Sequence, residues 1–245
     1  MSAHVIMVAS GKGGTGKSTV SVFTAGSLAK RGRRVLLVEL DSGLRSVDYI
    51  AGVAGKTVYD IGDILAGRCE TGKAIVESPL YAGLFVVSAP YAGGEVRAQA
   101  LAAFIRSARE VFDDIVLDTA AGMGAPFVAA MSVSDTAVIA ITPDPVAMRD
   151  GRIVCDALVS AGCEDIRLLI NKVPHGPQEC AVKDLDECID TVGARLVGVV
   201  PYSSAVAAAG AEGCGLPPPE KELASAVFDA VAARLCGEQA PLLIR

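Results

Sequence analysis

Short apolar runs recur along the chain, and longer segments with helical spacing separate them. Both faces of each run are hydrophobic, which is typical of strands buried on both sides in a parallel sheet rather than half-solvated antiparallel strands. The predicted strands are residues 5–9, 35–40, 84–88, 115–118, 137–142, 167–171 and 196–200.

Helical patterns fill the intervals between these runs. They cover residues 17–30, 58–66, 98–111, 147–161, 181–191 and 220–235. Strands that alternate with helices predict right-handed βαβ crossovers and an α/β fold, with one doubly wound, mainly parallel sheet and helices on both faces. The chain contains no repeat and no linker long enough to separate domains, so we expect one domain over residues 1–237 and a short C-terminal tail, 238–245.

Composition and net charge limit the classes of molecule that the chain is expected to bind. The 245 residues are 51% hydrophobic, enough for a large core, but only 4% aromatic and carry a net charge of −6. A nucleic-acid binder needs a basic stripe or stacking side chains, so no direct nucleic-acid partner is expected. The N-terminus enters the first strand without a signal-peptide pattern, and the seven cysteines include no C-x-C or C-x-x-C pair. We therefore expect a cytoplasmic protein with reduced cysteines.

The segment that follows the first strand and opens the first helix carries the clearest chemistry. Residues 10–19 read Ser-Gly-Lys-Gly-Gly-Thr-Gly-Lys-Ser-Thr, which fits G-x-x-x-x-G-K-[ST]. Glycines let backbone N–H groups converge on phosphates, and the helix N-terminus adds a favourable dipole. Lys17 is expected to reach the β- and γ-phosphates of ATP, and the Ser18 hydroxyl to ligate Mg²⁺ directly. The predicted nucleotide-binding residues here are Gly11, Lys12, Gly13, Gly14, Thr15, Gly16, Lys17, Ser18 and Thr19.

Two carboxylates lie at the end of the second predicted strand. Glu39 and Asp41 are expected at the carboxyl edge of the sheet, beside the phosphate loop. Acids in this place can meet the water shell of Mg²⁺ and the attacking water. We therefore predict that Asp41 holds Mg²⁺ through water, and that Glu39 and Asp41 act in hydrolysis with Lys17.

The second lysine of the loop, Lys12, points to a family. The sequence Lys-Gly-Gly-Thr-Gly-Lys-Ser-Thr resembles the deviant Walker A loop of the MinD/ParA superfamily, P-loop NTPases of the SIMIBI type. Residues 39–48 resemble the MinD-type switch I, D-x-D-x-G-L-R-x-x-D, with Glu39 in place of the first aspartate. The resemblance runs from Val5 to about Ile244. It implies that Lys12 is catalytic and reaches the phosphate bound by a partner subunit, so that the chain dimerises with ATP and separates on hydrolysis.

Later segments resemble other motifs of the same family. The strand that ends at Asp118 resembles Walker B and implies a water-mediated contact with Mg²⁺, and Thr-Ala-Ala-Gly, ending at Gly122, resembles switch II. Residues 142–150 resemble T-x-P-E-x-x-x-x-R-D. This resemblance implies that Asp150 interacts with Lys12, the signature lysine of the family's phosphate loop. Asn171 falls on the family's adenine-reading asparagine, and Pro201 on the segment that lines the base, where Tyr202 replaces an acid.

The resemblance implies a homodimeric ATPase switch in septum-site determination, with a protein activator or effector and with slow turnover because Glu39 alters the hydrolytic site. Two alternatives are a flagellar-number or polar positioning ATPase, and a metal-centre or Fe–S carrier ATPase, which would need paired cysteines. The tail contains Pro241 and only three consecutive aliphatic residues, too few for an interfacial amphipathic helix. Membrane association at the inner face is therefore expected to be weak or mediated by a partner.

Overall fold

A computed structural model describes residues 2–43, 45–91, 96–176, 181–182 and 184–243. Predictions that involve Leu44, Cys180, Lys183, Ile244 and Arg245 fall outside these ranges.

Within the described residues, one sheet has the strand order β3-β4-β2-β5-β1-β6-β7-β8. Only the pairing of β3 with β4 is antiparallel, and the other pairs are parallel. The predicted fold class is therefore confirmed. The strands are β1 His4–Ala9, β2 Val35–Glu39, β3 Val76–Glu77, β4 Leu84–Val87, β5 Asp114–Asp118, β6 Thr136–Ile141, β7 Asp165–Val173 and β8 Arg195–Pro201.

Ten helices accompany these strands within the described part of the chain. They pack on both faces of the sheet, which separates the hydrophobic core into two clusters. In one cluster, Phe23 and Phe228 meet edge to face with ring centroids 5.5 Å apart. The helices are α1 Lys17–Lys30, α2 Ser46–Ile50, α3 Ile61–Leu65, α4 Thr71–Ala74, α5 Ala98–Ala108, α6 Ala125–Met131, α7 Pro145–Ser160, α8 Leu185–Val192, α9 Ser204–Glu212 and α10 Leu223–Leu235.

Several elements differ from the sequence-based prediction. The edge strand β3 and the helices α2, α4, α6 and α9 were not predicted, because most of them span only one or two turns or a single pair of residues. The predicted helix 58–66 begins only after Asp60, whose side chain forms a capping box with Asp63. The predicted helix 181–191 begins after Asp184, which caps α8 by accepting a hydrogen bond from the Glu187 N–H.

The order of the strands creates a crevice beside β1. Strands β2 and β5 lie on one side of β1 and strands β6, β7 and β8 on the other, so the winding direction reverses there. Loops that leave the carboxyl ends of strands on either side of such a reversal diverge and leave space for a ligand. The phosphate loop lies directly after β1, at this edge.

The described part of the C-terminal tail lies against the domain. Glu238 pairs with Arg31, and the Ala240 carbonyl accepts a hydrogen bond of 3.0 Å from Arg234. Leu243 packs against the hydrophobic core cluster that contains Phe228. No helix among the described residues is long and apolar enough to cross a membrane.

Candidate active site

The loop between β1 and α1 depends on glycines with left-handed backbone angles. Gly14 has φ +82° and Gly16 has φ +90°, a region that other residues rarely adopt. A Cβ atom on Gly16 would also lie only 2.5 Å from Nδ2 of Asn171. Position 16 therefore needs glycine both for its backbone angle and for the close approach of β7.

Two side chains from β7 hold the carbonyls of this loop. Asn171 Nδ2 donates a hydrogen bond of 2.8 Å to the Thr15 carbonyl, and Lys172 Nζ donates one of 2.8 Å to the Gly14 carbonyl. Lys172 reaches the loop from a strained backbone with φ 57°, where the register of β7 against β8 shifts. These contacts occupy carbonyl oxygens that would repel phosphate, so they favour a loop conformation suited to anions.

Lys17, Ser18 and Asp118 form a buried polar cluster at the start of α1. The Ser18 hydroxyl donates to one oxygen of Asp118 at 2.8 Å, and the Ser21 hydroxyl donates to the other at 2.7 Å. Burial raises the pKa of Asp118 to about 6, although both hydroxyls and Lys17 act in the opposite direction. Burial also lowers the pKa of Lys17, while Asp118 and Asp41 act to raise it. The cluster thus holds one cation and ligating oxygens within a low-dielectric setting.

These groups border a cleft of about 880 Å³, enough for a nucleotide. The phosphate loop and Lys17 form one end, and the ends of β7 and β8 form the other. Predicted site residues in its lining are Gly13, Gly14, Gly16, Lys17, Ser18, Thr19, Asp41, Asn171 and Pro201.

The residues present fit a nucleoside triphosphate with Mg²⁺. Thr15 Oγ1 is buried and has no hydrogen-bond partner among the described residues, although it belongs to the loop. A buried hydroxyl without a partner costs free energy that a ligand oxygen would recover. The hydroxyl of Ser18 and the carboxylates of Asp118 and Asp41 are hard oxygen donors of the kind that Mg²⁺ prefers.

Glu39 ends β2 at the carboxyl edge of the sheet, as predicted, but neighbouring backbone amides hold its side chain. Its side chain is 1% exposed and lies outside the cleft lining, because its carboxylate accepts hydrogen bonds from the amides of Val47 at 3.2 Å and Ala89 at 3.3 Å. Burial is the main cause that raises the pKa of Glu39 to about 8, against the effect of the two amides. Glu39 therefore connects the start of α2 to the segment after β4 and does not line the cleft.

In this structure Lys12 pairs with Asp144, and its predicted interaction with Asp150 stays a prediction. Its Nζ lies 3.1 Å from Oδ1 of Asp144, and Asp150 pairs instead with Arg149. Asp144 is fixed as the N-cap of α7 by the Ala147 amide, which brings its carboxylate within reach of the loop. The backbone of Asp150 packs closely against the phosphate loop. A Cβ atom on Gly11 would lie 2.5 Å from the Asp150 carbonyl oxygen, so position 11 needs glycine.

Gly122 lies next to the loop rather than in the cleft. Its backbone has φ +84°, and its N–H donates to the Ser10 carbonyl at 3.0 Å. This hydrogen bond links the segment after β5 to the start of the phosphate loop. A change in the conformation of one segment can therefore alter the conformation of the other.

One wall of the cleft was not predicted. It comes from α2 and α9, two short helices that contact each other where Gly213 approaches Tyr49 so closely that a Cβ atom would lie 2.4 Å from the Tyr49 carbonyl. A signal for α9 was present, since Ser203 is an N-cap and Gly213 a C-cap on either side of an alanine-rich run. The additional lining residues are Ser46, Tyr49, Ile50, Ala121, Lys172, Tyr202, Ser203, Val206, Ala207, Gly210 and Ala211.

Comparison with known proteins identifies the family. Residues 6–216 match the CobQ/CobB/MinD/ParA nucleotide binding domain. The chain belongs to this family. It is 30% identical to the septum site-determining protein MinD of Bacillus subtilis over 98% of this chain and 92% of that protein. Within the family, the chain is thus a MinD-type ATPase of cell-division site determination.

Solved MinD structures agree with this assignment. The chain in the MinC:MinD cell division protein complex of Aquifex aeolicus has a TM-score of 0.89 and 29% identity, with 99% of both chains covered. MinD of Pyrococcus horikoshii complexed with Mg-ADP has a TM-score of 0.82 over 95% of this chain and 96% of that one. Its 22% identity supports the shared fold alone.

Proposed function

We propose that the chain binds Mg-ATP in the cleft beside β1, dimerises in the ATP-bound state and separates after slow hydrolysis. The observation that carries this proposal is the convergence of Lys17, Ser18 and Asp118 at the end of a glycine loop whose carbonyls are already occupied. Such a site provides positive charge and N–H groups for phosphates and oxygen ligands for a metal.

At the phosphate end, Lys17 binds the β- and γ-phosphates, together with the amides of the loop from Gly11 to Thr19. Ser18 is the direct Mg²⁺ ligand, and Asp41 and Asp118 hold the ion through water. When bound, Mg²⁺ supplies positive charge that offsets the charge on the phosphate oxygens. Since the Ser18 hydroxyl now donates to Asp118, this hydrogen bond orients its oxygen beside the phosphate loop.

At the base end, Asn171 and Pro201 bind adenine. Nδ2 of Asn171 donates its hydrogen bond to the Thr15 carbonyl, whereas no described residue donates to Oδ1 of Asn171. This oxygen is the acceptor that the adenine amino group requires. Guanine carries a carbonyl at that position and would be rejected, because two acceptors would face each other.

Lys12 acts across the dimer. Its ion pair with Asp144 is partly exposed, with side-chain exposures of 41% and 27%, so the pair is worth only about 0–1 kcal/mol. Exchanging that carboxylate for the triphosphate of a second subunit is therefore favourable. Switch segments around Asp41 and Gly122 transmit the nucleotide state, since Gly122 is bonded to the loop.

Hydrolysis is slow and stimulated by a protein partner, because Glu39 does not face the cleft and another group must position the water. The MinC:MinD complex of Aquifex aeolicus supports a protein effector on this fold. The protein acts on the cytoplasmic side, and its membrane association is weak or passes through a partner.

The direct test of the binding site is Lys17→Ala, with Lys56→Ala as the matched control because Lys56 is exposed. Titration with a fluorescent ATP analogue and Mg²⁺ should show at least about a hundredfold weaker binding for Lys17→Ala, about 3 kcal/mol, and no change for the control. Equal affinities in the two variants would refute the site.

A further inference from the structure

A second concavity lies at the end of the sheet where the amino ends of the strands meet, whereas the phosphate loop lies at their carboxyl ends. It has a volume of about 600 Å³ and lies between the amino ends of β7 and β8 and the end of α10. We call it the arginine pocket. Its lining is Arg167, Arg195, Leu196, Arg234, Gly237, Glu238, Gln239 and Ala240.

The fold brings the three arginines together for identifiable reasons. Arg167 and Arg195 are register partners on adjacent parallel strands, so their side chains leave the same face of the sheet. Gly198 lets α10 approach β8 closely, since a Cβ atom there would lie 2.5 Å from Cγ2 of Val231. Arg234 follows in the last turn of α10 and is thereby placed beside the two strands.

Among the residues that the structure describes, two of the three guanidinium groups have no ion-pair partner. Arg167 is paired with Asp165, and the acid of the pocket, Glu238, is paired with Arg31. Within the described part of the chain, Arg234 donates to two backbone carbonyls, those of Val197 and Ala240, and to no carboxylate. Burial without an anion lowers the pKa of Arg234.

Arg195 is exposed, and no described residue accepts a hydrogen bond from it. The pocket therefore combines a half-buried cation, an exposed cation that no described residue pairs with, and a concave surface. A cation removed from water without a counter-ion is unfavourable, so an anion bound between these groups would be stabilising.

We propose that the arginine pocket is a binding site for a phosphate group, with Arg195 and Arg234 as its main ligands. The planar guanidinium group presents paired N–H donors that match the oxygens of phosphate, and charge-assisted hydrogen bonds of this kind are strong. The site is separate from the nucleotide cleft, which lies at the other edge of the sheet. The phosphate belongs either to a small free anion or to the headgroup of an anionic lipid, whereas the net charge of −6 disfavours nucleic acid.

Arg195→Gln is the informative variant, because the Arg195 side chain is exposed and no described residue accepts a hydrogen bond from it, so we expect the fold to be retained. Arg106→Gln removes the same charge from an exposed position on α5 and serves as the control. Isothermal titration of inorganic phosphate into protein saturated with Mg and a non-hydrolysable ATP analogue excludes binding in the nucleotide cleft, because the analogue occupies the γ-phosphate position. We expect one site in the unaltered protein and in Arg106→Gln, and about tenfold weaker binding or more in Arg195→Gln.

Flotation with phosphatidic acid vesicles, against phosphatidylcholine vesicles, distinguishes the two sources of phosphate. Flotation that requires Arg195 and is competed by free phosphate assigns the site to a lipid headgroup. Titration that depends on Arg195 without flotation assigns it to a free anion. Equal phosphate affinity in all three proteins, together with flotation that does not depend on Arg195, would overturn the proposal.

Discussion

Lys12 Nζ lies 3.1 Å from Oδ1 of Asp144, so the second lysine of the phosphate loop is paired within its own chain. In the single chain, Lys12 therefore forms a partly exposed ion pair with Asp144. In the proposed dimer, the same charge moves to the nucleotide of the other subunit.

Replacing Lys12 should separate binding from dimerisation. We expect Lys12→Ala to change the ATP affinity of the monomer by less than about tenfold, while ATP-dependent dimerisation and hydrolysis are lost, because its charge is supplied to the other subunit. Asp144→Asn releases Lys12 without removing the helix cap, so it should retain dimerisation. Sedimentation velocity with a non-hydrolysable ATP analogue measures both variants. Normal hydrolysis by Lys12→Ala would show that Lys12 has no role across the interface.

Gly16→Ala should impair nucleotide binding through its effect on the loop. The substitution places a side chain at φ +90° and pushes its Cβ against Asn171. We expect the ATP affinity to fall by about tenfold or more, since displaced loop amides no longer converge on the phosphates. Gly32→Ala is the matched control, because Gly32 has φ +79° but nothing within 4 Å of a new Cβ. If both variants bind ATP equally well, the contact with Asn171 does not matter for the loop.

Glu39 should make the stability depend on pH. Its folded-state pKa of about 8 exceeds the ordinary 4.5, so the folded protein retains a proton that the unfolded chain releases. The free energy of unfolding should therefore fall as the pH rises between these values, by up to about 1.4 kcal/mol per pH unit and on the order of 3 kcal/mol by pH 7.

Glu39→Gln should flatten this slope, and Glu110→Gln, at an exposed position, should not. Urea denaturation between pH 5 and pH 8 gives the slopes. Parallel slopes for the unaltered protein and Glu39→Gln would mean that Glu39 is ionised throughout.

The sequence was sufficient for the sheet and for the phosphate loop, because both depend on local patterns. Apolar runs identified seven strands, and Gly14, Gly16 and Lys17 follow β1 at fixed offsets. The family resemblance assigned Asp118 to the metal and Asn171 to the adenine base, and these roles stay predictions. In the structure, Asp118 accepts a hydrogen bond from Ser18, and Asn171 donates one to the Thr15 carbonyl.

The orientation of individual side chains could not be predicted in this way. Glu39 turns away from the cleft because Ala89, fifty residues further along the chain, offers it an amide. Lys12 pairs with Asp144, whose carboxylate is fixed as the N-cap of α7, while Asp150 pairs with Arg149. Helix α9 was missed because an alanine-rich segment shows little contrast between its faces, although its caps marked both ends.

The central claim is that ATP, and not ADP, joins two copies of this chain across their phosphate loops. Size-exclusion chromatography with multi-angle light scattering tests it most directly, on protein with Mg-ADP and with Mg and a non-hydrolysable ATP analogue. We expect the mass of one 25.0 kDa chain with ADP and twice that mass with the analogue. The same mass in both nucleotide states, at concentrations that saturate the cleft, would contradict the account.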